Sequence, residues 1–188
     1  MENPGSMAAP SSHTPEGGVL MGRDDAASRM VVFEDPQCPY CRQFEEACGD
    51  LLRSSWEAGT LAVDFRMRCF LGIESVRANN ALALAAEDNR FDELRRELFS
   101  AQPREGTGGF TTSELRSYGR RAGLTSSSYV SGVDEGRYET WVRAVEEVFA
   151  AQDPNGTPAA WLDGRPVDPR VLSDPTALGH LLRRNPRS

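Results

Sequence analysis

The fold of this chain of 188 residues is decided by residues 30–41, which read MVVFEDPQCPYC. The apolar, β-branched start of the stretch is typical of a buried central strand. Directly after it, residues 44–52 place apolar side chains at helical spacing. The sequence therefore predicts a strand that passes into a helix, with two cysteines at the junction.

Cys38 is predicted to be the reactive thiol of a disulfide-exchange pair. A thiol at a helix N-terminus meets unpaired N–H groups and the positive end of the helix dipole, and both favour the thiolate. Pro39 suits the first helical turn because it has no N–H to lose there. Cys41 lies one turn further along the same face, where it can attack a mixed disulfide formed on Cys38.

The same Cys-x-x-Cys pair could instead be half of a zinc site or a structural pair. A structural zinc site usually needs a second such pair or added histidines. The remaining cysteines, Cys48 and Cys69, are single, and the two histidines, His13 and His180, lie towards opposite ends of the chain. Redox chemistry is therefore favoured. We predict no metal and no cofactor beyond a redox-active Cys38–Cys41 disulfide.

Composition and periodicity predict one soluble α/β domain that carries an all-helical insertion. The net charge of −7 gives no support for nucleic-acid binding. Residues 1–17 are rich in Pro, Ser and Gly and are predicted to be disordered, without the pattern of a signal peptide. No stretch approaches the apolar length needed to span a membrane.

The predicted elements group into three parts of the chain. Residues 18–74 read as an edge strand, a central strand, a long helix and a half-buried strand, and residues 75–151 read as helices only. Residues 152–188 return to a strand pair joined at Asp163-Gly164, followed by a closing helix. The predicted helices are 39–58, 76–86, 91–99, 112–122, 134–151 and 175–184. Residues 18–74 and 152–188 would form one domain, and 75–151 its insertion.

Three segments in this order resemble a known family. They are the cysteine segment 33–41, the helical segment in which 89–91 leads into 98–103, and Gly156-Thr157-Pro158 followed by 161–164. Together they resemble the DsbA-like branch of the thioredoxin superfamily, in the form common in Gram-positive bacteria. The resemblance covers about residues 18–184 and implies a thioredoxin fold with an inserted helical domain.

The resemblance also implies roles for single residues. Cys38 would be the exposed nucleophile and Cys41 the buried resolving thiol. Pro158 would be cis and lie beside the disulfide, and Thr157 would offer backbone hydrogen bonds to a substrate chain. A cis X-Pro bond is uncommon enough that the fold should enforce it.

Two departures from the family pattern bear on the chemistry. Many relatives carry an acid at the position of Val32 as a proton acceptor for the buried thiol. Glu34 is nearby, but we expect its side chain to reach solvent and to take no direct catalytic role. The active-site dipeptide is Pro39-Tyr40 instead of Pro-His, and since Tyr40 supplies no cation, thiolate stabilisation falls mainly to the helix terminus.

Cys48 and Cys69 have two alternative interpretations. Both lie on apolar faces, where free cysteines pack as small hydrophobic residues. In an oxidising compartment they could instead form a structural disulfide. Sequence does not give the Cα separation that would decide between the two.

The resemblance implies a thiol–disulfide oxidoreductase that forms disulfides in exported proteins. Its partners would be unfolded or folding exported proteins and a membrane quinone-linked oxidase of the DsbB or VKOR type. The protein would be a monomer in the cell envelope, anchored by a segment absent from this chain, or secreted; a cytoplasmic location stays open. The alternatives are a disulfide reductase or isomerase of the same fold, and a thioredoxin-fold protein that binds metal through its thiols.

Overall fold

The computed structural model of the chain describes residues 11–152 and 155–184. Six strands form one sheet: β1 Ser11–His13, β2 Val19–Met21, β3 Ser28–Glu34, β4 Leu61–Met67, β5 Ala159–Leu162 and β6 Arg165–Pro166. The α-helices are α1 Pro39–Glu57, α2 Ile73–Glu87, α3 Phe91–Ser100, α4 Thr112–Arg121, α5 Ser127–Glu135, α6 Glu139–Ala151 and α7 Pro175–Arg183. A short 3₁₀ helix, Pro169–Ser173, precedes α7.

Strand β3 is the central strand that the apolar run predicts. The sheet order is β1-β2-β4-β3-β5-β6, in which β3 is parallel to β4 and antiparallel to β5. Val32 pairs with Phe65 on one side and with Ala160 on the other, and all three side chains are buried. The carboxyl end of β3 is therefore held from both sides, and it delivers the chain to the N-terminus of α1.

The helices α2 to α6 all lie in the chain between β4 and β5. Helix α2 packs against α3, α4, α5 and α6. Its middle, residues 78–86, is buried throughout, which suits its Ala- and Leu-rich sequence. This arrangement agrees with a helical insertion, while its exact limits at 75 and 151 stay a prediction.

Strand β1 corrects the predicted disorder of residues 1–17 over its described part. Residues 11–13 pair with β2, and the turn is closed by Gly17 N, which donates to the Thr14 carbonyl at 2.9 Å. Strand β2 is consequently not an edge strand. A strand of three residues in a polar stretch is too short to show the alternation of apolar and polar side chains from which a strand is predicted. Residues 1–10 lie outside the described residues.

Two further predictions are corrected by local contacts. The helix predicted over 134–151 is two helices, because Gly136 adopts a left-handed conformation with φ of 63° and ends α5. Helix α5 itself begins at a serine-rich stretch, where the Ser126 hydroxyl accepts a hydrogen bond from Tyr129 N. Strand β4 is predicted to be half-buried, but both of its faces are covered. Asp64 is buried and accepts hydrogen bonds from the Arg66 and Thr14 side chains.

Candidate active site

Cys38 lies at the N-terminal end of α1, as predicted. Strand β3 ends at Glu34, three residues connect it to Cys38, and Pro39 is the first residue of the helix. The Cys38 carbonyl accepts the first helical hydrogen bonds, from the N–H groups of Cys41 at 3.1 Å and Arg42 at 3.2 Å. The Cys38 side chain therefore stands where the unpaired N–H groups of the helix point.

Cys38 and Cys41 are both free thiols that pack against Phe99 and Leu71. Cys41 is fully buried, and Cys38 keeps 5% exposure. Cys38 is thus the more accessible thiol, but its sulfur is less exposed than the resemblance implies. The neighbouring Thr157 accounts for part of this cover, because its carbonyl oxygen lies 3.3 Å from Cys38 Sγ.

The pKa of Cys38 is lowered from 9.0 to about 6. The largest cause is a hydrogen bond from the Cys41 thiol; burial works against it, and the Thr157 side chain and the backbone N–H groups of Cys41 and Tyr40 lower the pKa further. In the dithiol form the Thr157 hydroxyl is buried and makes no hydrogen bond to another described residue. It is free to donate to Cys38 once that thiol ionises.

The pKa of Cys41 moves in the opposite direction. Burial raises it well above its ordinary value, and the hydrogen bond to Cys38 and the charges of Glu34 and Cys38 raise it further. Two neighbouring thiols of the same residue type therefore differ in acidity because one meets donors and the other is desolvated. At neutral pH the pair holds one thiolate, on Cys38, and one thiol, on Cys41.

The loop Gly156-Thr157-Pro158 lies across from the motif, with the Thr157–Pro158 peptide bond in the cis conformation. It leads directly into β5, which pairs with β3 from Phe33 to Met30. The central strand thus fixes the position of both the cysteine motif and this loop. A substrate chain next to Cys38 would meet the backbone of Thr157.

The dipeptide Pro39-Tyr40 brings no positive charge to the pair. Tyr40 is 65% exposed and carries no cation, as the sequence indicates. Two further large apolar side chains, Phe70 and Ile73, are exposed on the segment around Leu71, which itself packs against the two thiols. The site therefore has exposed apolar side chains on the side of Tyr40, Phe70 and Ile73.

Comparison with known proteins agrees with this geometry. A family model described as thioredoxin matches residues 14–178. The chain belongs to this thioredoxin family. A comparison with curated protein sequences gives no match.

Solved structures related to this thioredoxin-family protein share its fold. BdbD from Bacillus subtilis, in its oxidised form, superposes with a TM-score of 0.79 at 18% identity, covering 96% of this chain and 98% of that chain. MdbA from Corynebacterium diphtheriae, a thiol-disulfide oxidoreductase, gives 0.81 at 18% identity, covering 94% of each chain. Reduced DsbA from Mycobacterium tuberculosis gives 0.75 at 21% identity, covering 95% and 92%. The predicted fold class, a thioredoxin fold with an inserted helical domain, is confirmed.

Glu34 corrects one expectation for this thioredoxin-family protein. Its side chain does not reach solvent but is fully buried and pairs with Arg95, which donates from Nη2 at 2.6 Å and from Nε at 2.8 Å. Burial raises the pKa of Glu34, and Arg95 opposes that rise. The alternation of side chains along the strand could have predicted this burial, because Glu34 lies two residues after the buried Val32 and thus on the same face of β3.

Asp35 is a buried carboxyl that the sequence analysis did not single out. It accepts hydrogen bonds from the Ser75 hydroxyl at 2.5 Å, from Gln37 N at 2.9 Å and from Leu71 N at 3.3 Å. Burial raises its pKa from 3.8 to about 7, against the effect of these donors. A lone Asp in a connection resembles any turn residue in sequence, so no local signal marks it.

Sequence also did not predict a role for the Gln102 side chain, which links the cysteine motif to the helical segment by hydrogen bonds. Its Nε2 donates to the carbonyl oxygens of Pro36 at 2.8 Å and Cys38 at 3.0 Å. Gln37 makes a second link, donating to the Leu71 carbonyl at 3.1 Å. The loop before α1 is therefore held by hydrogen bonds with residues that lie more than thirty positions away in sequence.

Cys48 and Cys69 do not form the structural disulfide that was one of the two alternatives. Both are free, and they lie in separate parts of the core: Cys48 Sγ is 3.4 Å from the Leu172 carbonyl, whereas Cys69 packs with Val76 and Val142. Burial raises the pKa of each to about 11. The structure matches the other alternative, in which both pack as small apolar groups.

Within residues 11–152 and 155–184, no group of three or more His, Cys, Asp or Glu side chains is arranged to hold a metal ion. No helix in the same part of the chain is long and apolar enough to cross a bilayer.

Alkylation should label Cys38 before the other three thiols, all of which lie in the described part of the chain. With iodoacetamide, its rate should reach half of the maximum near pH 6, because the thiolate reacts and the pKa is about 6. Cys48 and Cys69 should stay unlabelled below pH 9. Peptide mapping of the reduced protein checks this. Labelling of Cys41 ahead of Cys38 would reverse the assignment of the two thiols.

Proposed function

We propose that this protein is a thiol–disulfide oxidoreductase that forms disulfides in exported proteins by exchange through Cys38 and Cys41. One observation carries the proposal: two adjacent thiols have their acidities driven apart, with the pKa of Cys38 lowered to about 6 and that of Cys41 raised well above its ordinary value. Such a pair has one good nucleophile and leaving group and one thiol that keeps its proton.

The proposed reaction starts from the Cys38–Cys41 disulfide. A substrate thiolate attacks Cys38 Sγ, the bond between the two cysteine sulfurs breaks, and Cys41 leaves and takes up a proton. A second substrate thiolate then attacks the substrate sulfur of the mixed disulfide, and Cys38 leaves as a thiolate. The substrate loses two electrons and gains a disulfide, while the cysteine pair gains those two electrons.

Oxidation is the favoured direction because Cys38 is stabilised as a leaving thiolate. A thiol of lower pKa leaves faster, and stabilising the reduced form makes the pair a stronger oxidant. The cis Thr157–Pro158 loop and the exposed apolar side chains of Tyr40, Phe70 and Ile73 would receive an unfolded substrate chain. These features favour an oxidase over the reductase, isomerase and metal-binding alternatives.

The same proposal includes the setting in which the enzyme works. The protein would act outside the cytoplasm as a monomer, on unfolded or folding exported proteins. A membrane quinone-linked oxidase of the DsbB or VKOR type would restore its disulfide. The likeness to MdbA, which is named a thiol-disulfide oxidoreductase, supports the reaction class through the shared fold.

Trapping of intermediates tests the reaction. Cys41→Ser should accumulate mixed disulfides on Cys38 when it is incubated with a reduced, unfolded substrate protein and an oxidant. Cys38→Ser should accumulate none, because Cys41 is fully buried and keeps its proton. The adducts are read by non-reducing electrophoresis and mass spectrometry. Cys48→Ser serves as the matched control and should behave like the wild type. Equal trapping by both active-site variants, or by neither, would refute the proposed function.

A further inference from the structure

Asp35 lies between the central strand and the reactive cysteine, in a fully buried position. Three donors from two parts of the chain surround its carboxyl group: Gln37 N in the same connection, and Leu71 N and the Ser75 hydroxyl at the start of the helical segment. Ser75 must be the donor in its bond to Asp35, since the Gln37 side chain donates to the same hydroxyl at 2.9 Å. Asp35 is thus a carboxyl built into the wall of the site.

The charge of Asp35 acts on the reactive thiol. Cys38 N donates to the Asp35 carbonyl at 2.9 Å, which places the two residues in one tight turn. The charges of Cys38 and of the Asp35 carboxyl raise each other's proton affinity, because like charges repel. When Cys38 becomes a thiolate, Asp35 therefore holds a proton more strongly than when Cys38 is in a disulfide.

We propose that Asp35 takes up a proton each time the Cys38–Cys41 disulfide is reduced and releases it when the disulfide re-forms. Around neutral pH, the disulfide with ionised Asp35 gains two electrons and two protons. The products are the Cys38 thiolate, the Cys41 thiol and the Asp35 carboxylic acid. The substrate dithiol supplies both electrons and, on losing its two thiol protons, leaves no net proton in solution.

The environment of Asp35 favours titration in this range. Burial raises its pKa to about 7, which exceeds the lowering effect of the three donors. The proton exchange would therefore occur close to neutral pH. The proposal rests on the proposed function, because Asp35 responds to the redox state of the pair that carries the exchange.

The other ionisable groups around Asp35 have different partners. Glu34, next to it on β3, is held by the Arg95 guanidinium from α3. On the segment after β4, Cys69 has a pKa of about 11, and the Arg68 guanidinium before it is paired with Glu146 of α6. Glu34 and Arg68 are thus held in ion pairs, whereas the three described donors to Asp35 are neutral, so we assign the coupled titration to Asp35 and Cys38.

The pH dependence of the redox equilibrium tests the proposal. The equilibrium of the wild type and of Asp35→Asn with dithiothreitol is measured between pH 5.5 and 8.5. Each proton taken up changes the equilibrium constant tenfold per pH unit, or about 30 mV for two electrons. The wild type should take up between one and two protons near pH 7, whereas Asp35→Asn should take up one. By pH 8.5 the two should run parallel, since Asp35, whose pKa is about 7 beside the reduced pair, is then ionised in both redox states of the wild type.

Ser75→Ala provides a second test that keeps the carboxyl group. Loss of one donor to ionised Asp35 should move the range of extra proton uptake to higher pH. If Ser75 contributed to packing only, its replacement would not shift the pH range of the extra proton uptake. If Asp35→Asn fails to fold, the shift measured in Ser75→Ala by itself tests whether Asp35 takes up the proton. Cys69→Ser is the matched control and should leave the proton count unchanged.

The outcomes separate this proposal from the proposed function. Equal proton numbers for the wild type and Asp35→Asn, with Ser75→Ala unshifted, would overturn the role of Asp35 even if Cys41→Ser still traps substrates. Failure to trap substrates, together with the predicted change in proton number, would refute the oxidase function and leave the role of Asp35 standing.

Discussion

Arg95→Met is expected to destabilise the fold by about 3–5 kcal/mol, because it leaves buried carboxylates without their cation. Arg95 is 1% exposed and pairs with the fully buried Glu34 and with Glu45. Its guanidinium also stacks over the rings of Phe65, at 4.5 Å, and Phe99, at 5.0 Å. The substitution keeps much of the side-chain volume, so the loss reports the missing charge.

The position of this ion pair explains why its loss should reach the active site. Glu34 is the last residue of β3, and Glu45 is on α1, one helical turn beyond Cys41. Arg53 extends the cluster, pairing with Glu45 at 3.2 Å and with Asp92 of α3 at 2.7 Å. Buried charges thus join the strand before Cys38, the helix after it and the first turn of α3.

Urea unfolding of the reduced protein measures the effect, with Arg96→Met as the matched control. Arg96 is the adjacent arginine, but it is 49% exposed and pairs with Asp92 at 3.5 Å. Its replacement should cost about 0.5 kcal/mol or less. Combining Arg95→Met with Glu34→Gln should recover part of the lost stability, because the unpaired charge is then removed. An Arg95→Met cost no larger than that of Arg96→Met would contradict this account.

The features that sequence predicted correctly depend on neighbours along the chain. Residues 30–41 carry a strand pattern, a helix start and two cysteines three positions apart, and each signal is local. Helix α1 ends one residue before the predicted limit, since Gly59 follows it with a positive φ of 71°. A local pattern of this kind fixes the order of elements and hence the place of Cys38.

The features that sequence did not predict depend on contacts between distant residues. Asp35 meets Ser75 forty residues away, Glu34 meets Arg95 sixty-one away, and Gln102 meets Cys38 sixty-four away. Each is a polar side chain in or beside a connection, where exposure is the ordinary expectation. Burial by the helical segment reverses that expectation, and it makes these groups able to influence the thiols.

The reduced form of Asp35→Asn is expected to gain stability over its oxidised form as pH rises from 6 to 8, whereas the rise in the wild type is smaller by the contribution of the proton that Asp35 takes up. The pKa of Cys38 is about 6 in the folded state and about 8.5 for a free cysteine, so the unfolded chain binds the extra proton between these values. Folded stability from this group is therefore present above the unfolded pKa and is lost as pH falls through about 6. Its contribution is about 1.4 kcal/mol at pH 7 and about 2.5 kcal/mol at pH 8.

The same free energy sets the oxidising strength of the pair. Stabilising the reduced form by about 1.4 kcal/mol raises the potential by about 30 mV at pH 7. The pKa of about 6 lies between roughly 7 for thioredoxin and roughly 3.5 for the enterobacterial DsbA. We therefore expect a potential between their values of roughly −270 mV and −120 mV, closer to that of thioredoxin because Tyr40 brings no cation.

Urea unfolding of both redox forms at pH 6, 7 and 8 tests this expectation. The informative quantity is the change with pH in the stability of the reduced form minus that of the oxidised form, measured in Asp35→Asn because the charge of Cys38 acts on the Asp35 carboxyl in the reduced form only. Above pH 8.5 the thiols of the unfolded chain also ionise, which sets the upper limit of the range. Cys38→Ser in the Asp35→Asn background is the control, and the pH dependence of its stability should follow that of the oxidised form, because serine cannot become a thiolate. A difference that stays flat in Asp35→Asn from pH 6 to 8 would contradict the low pKa of Cys38, and an oxidised form that is more stable throughout would point to a reductase.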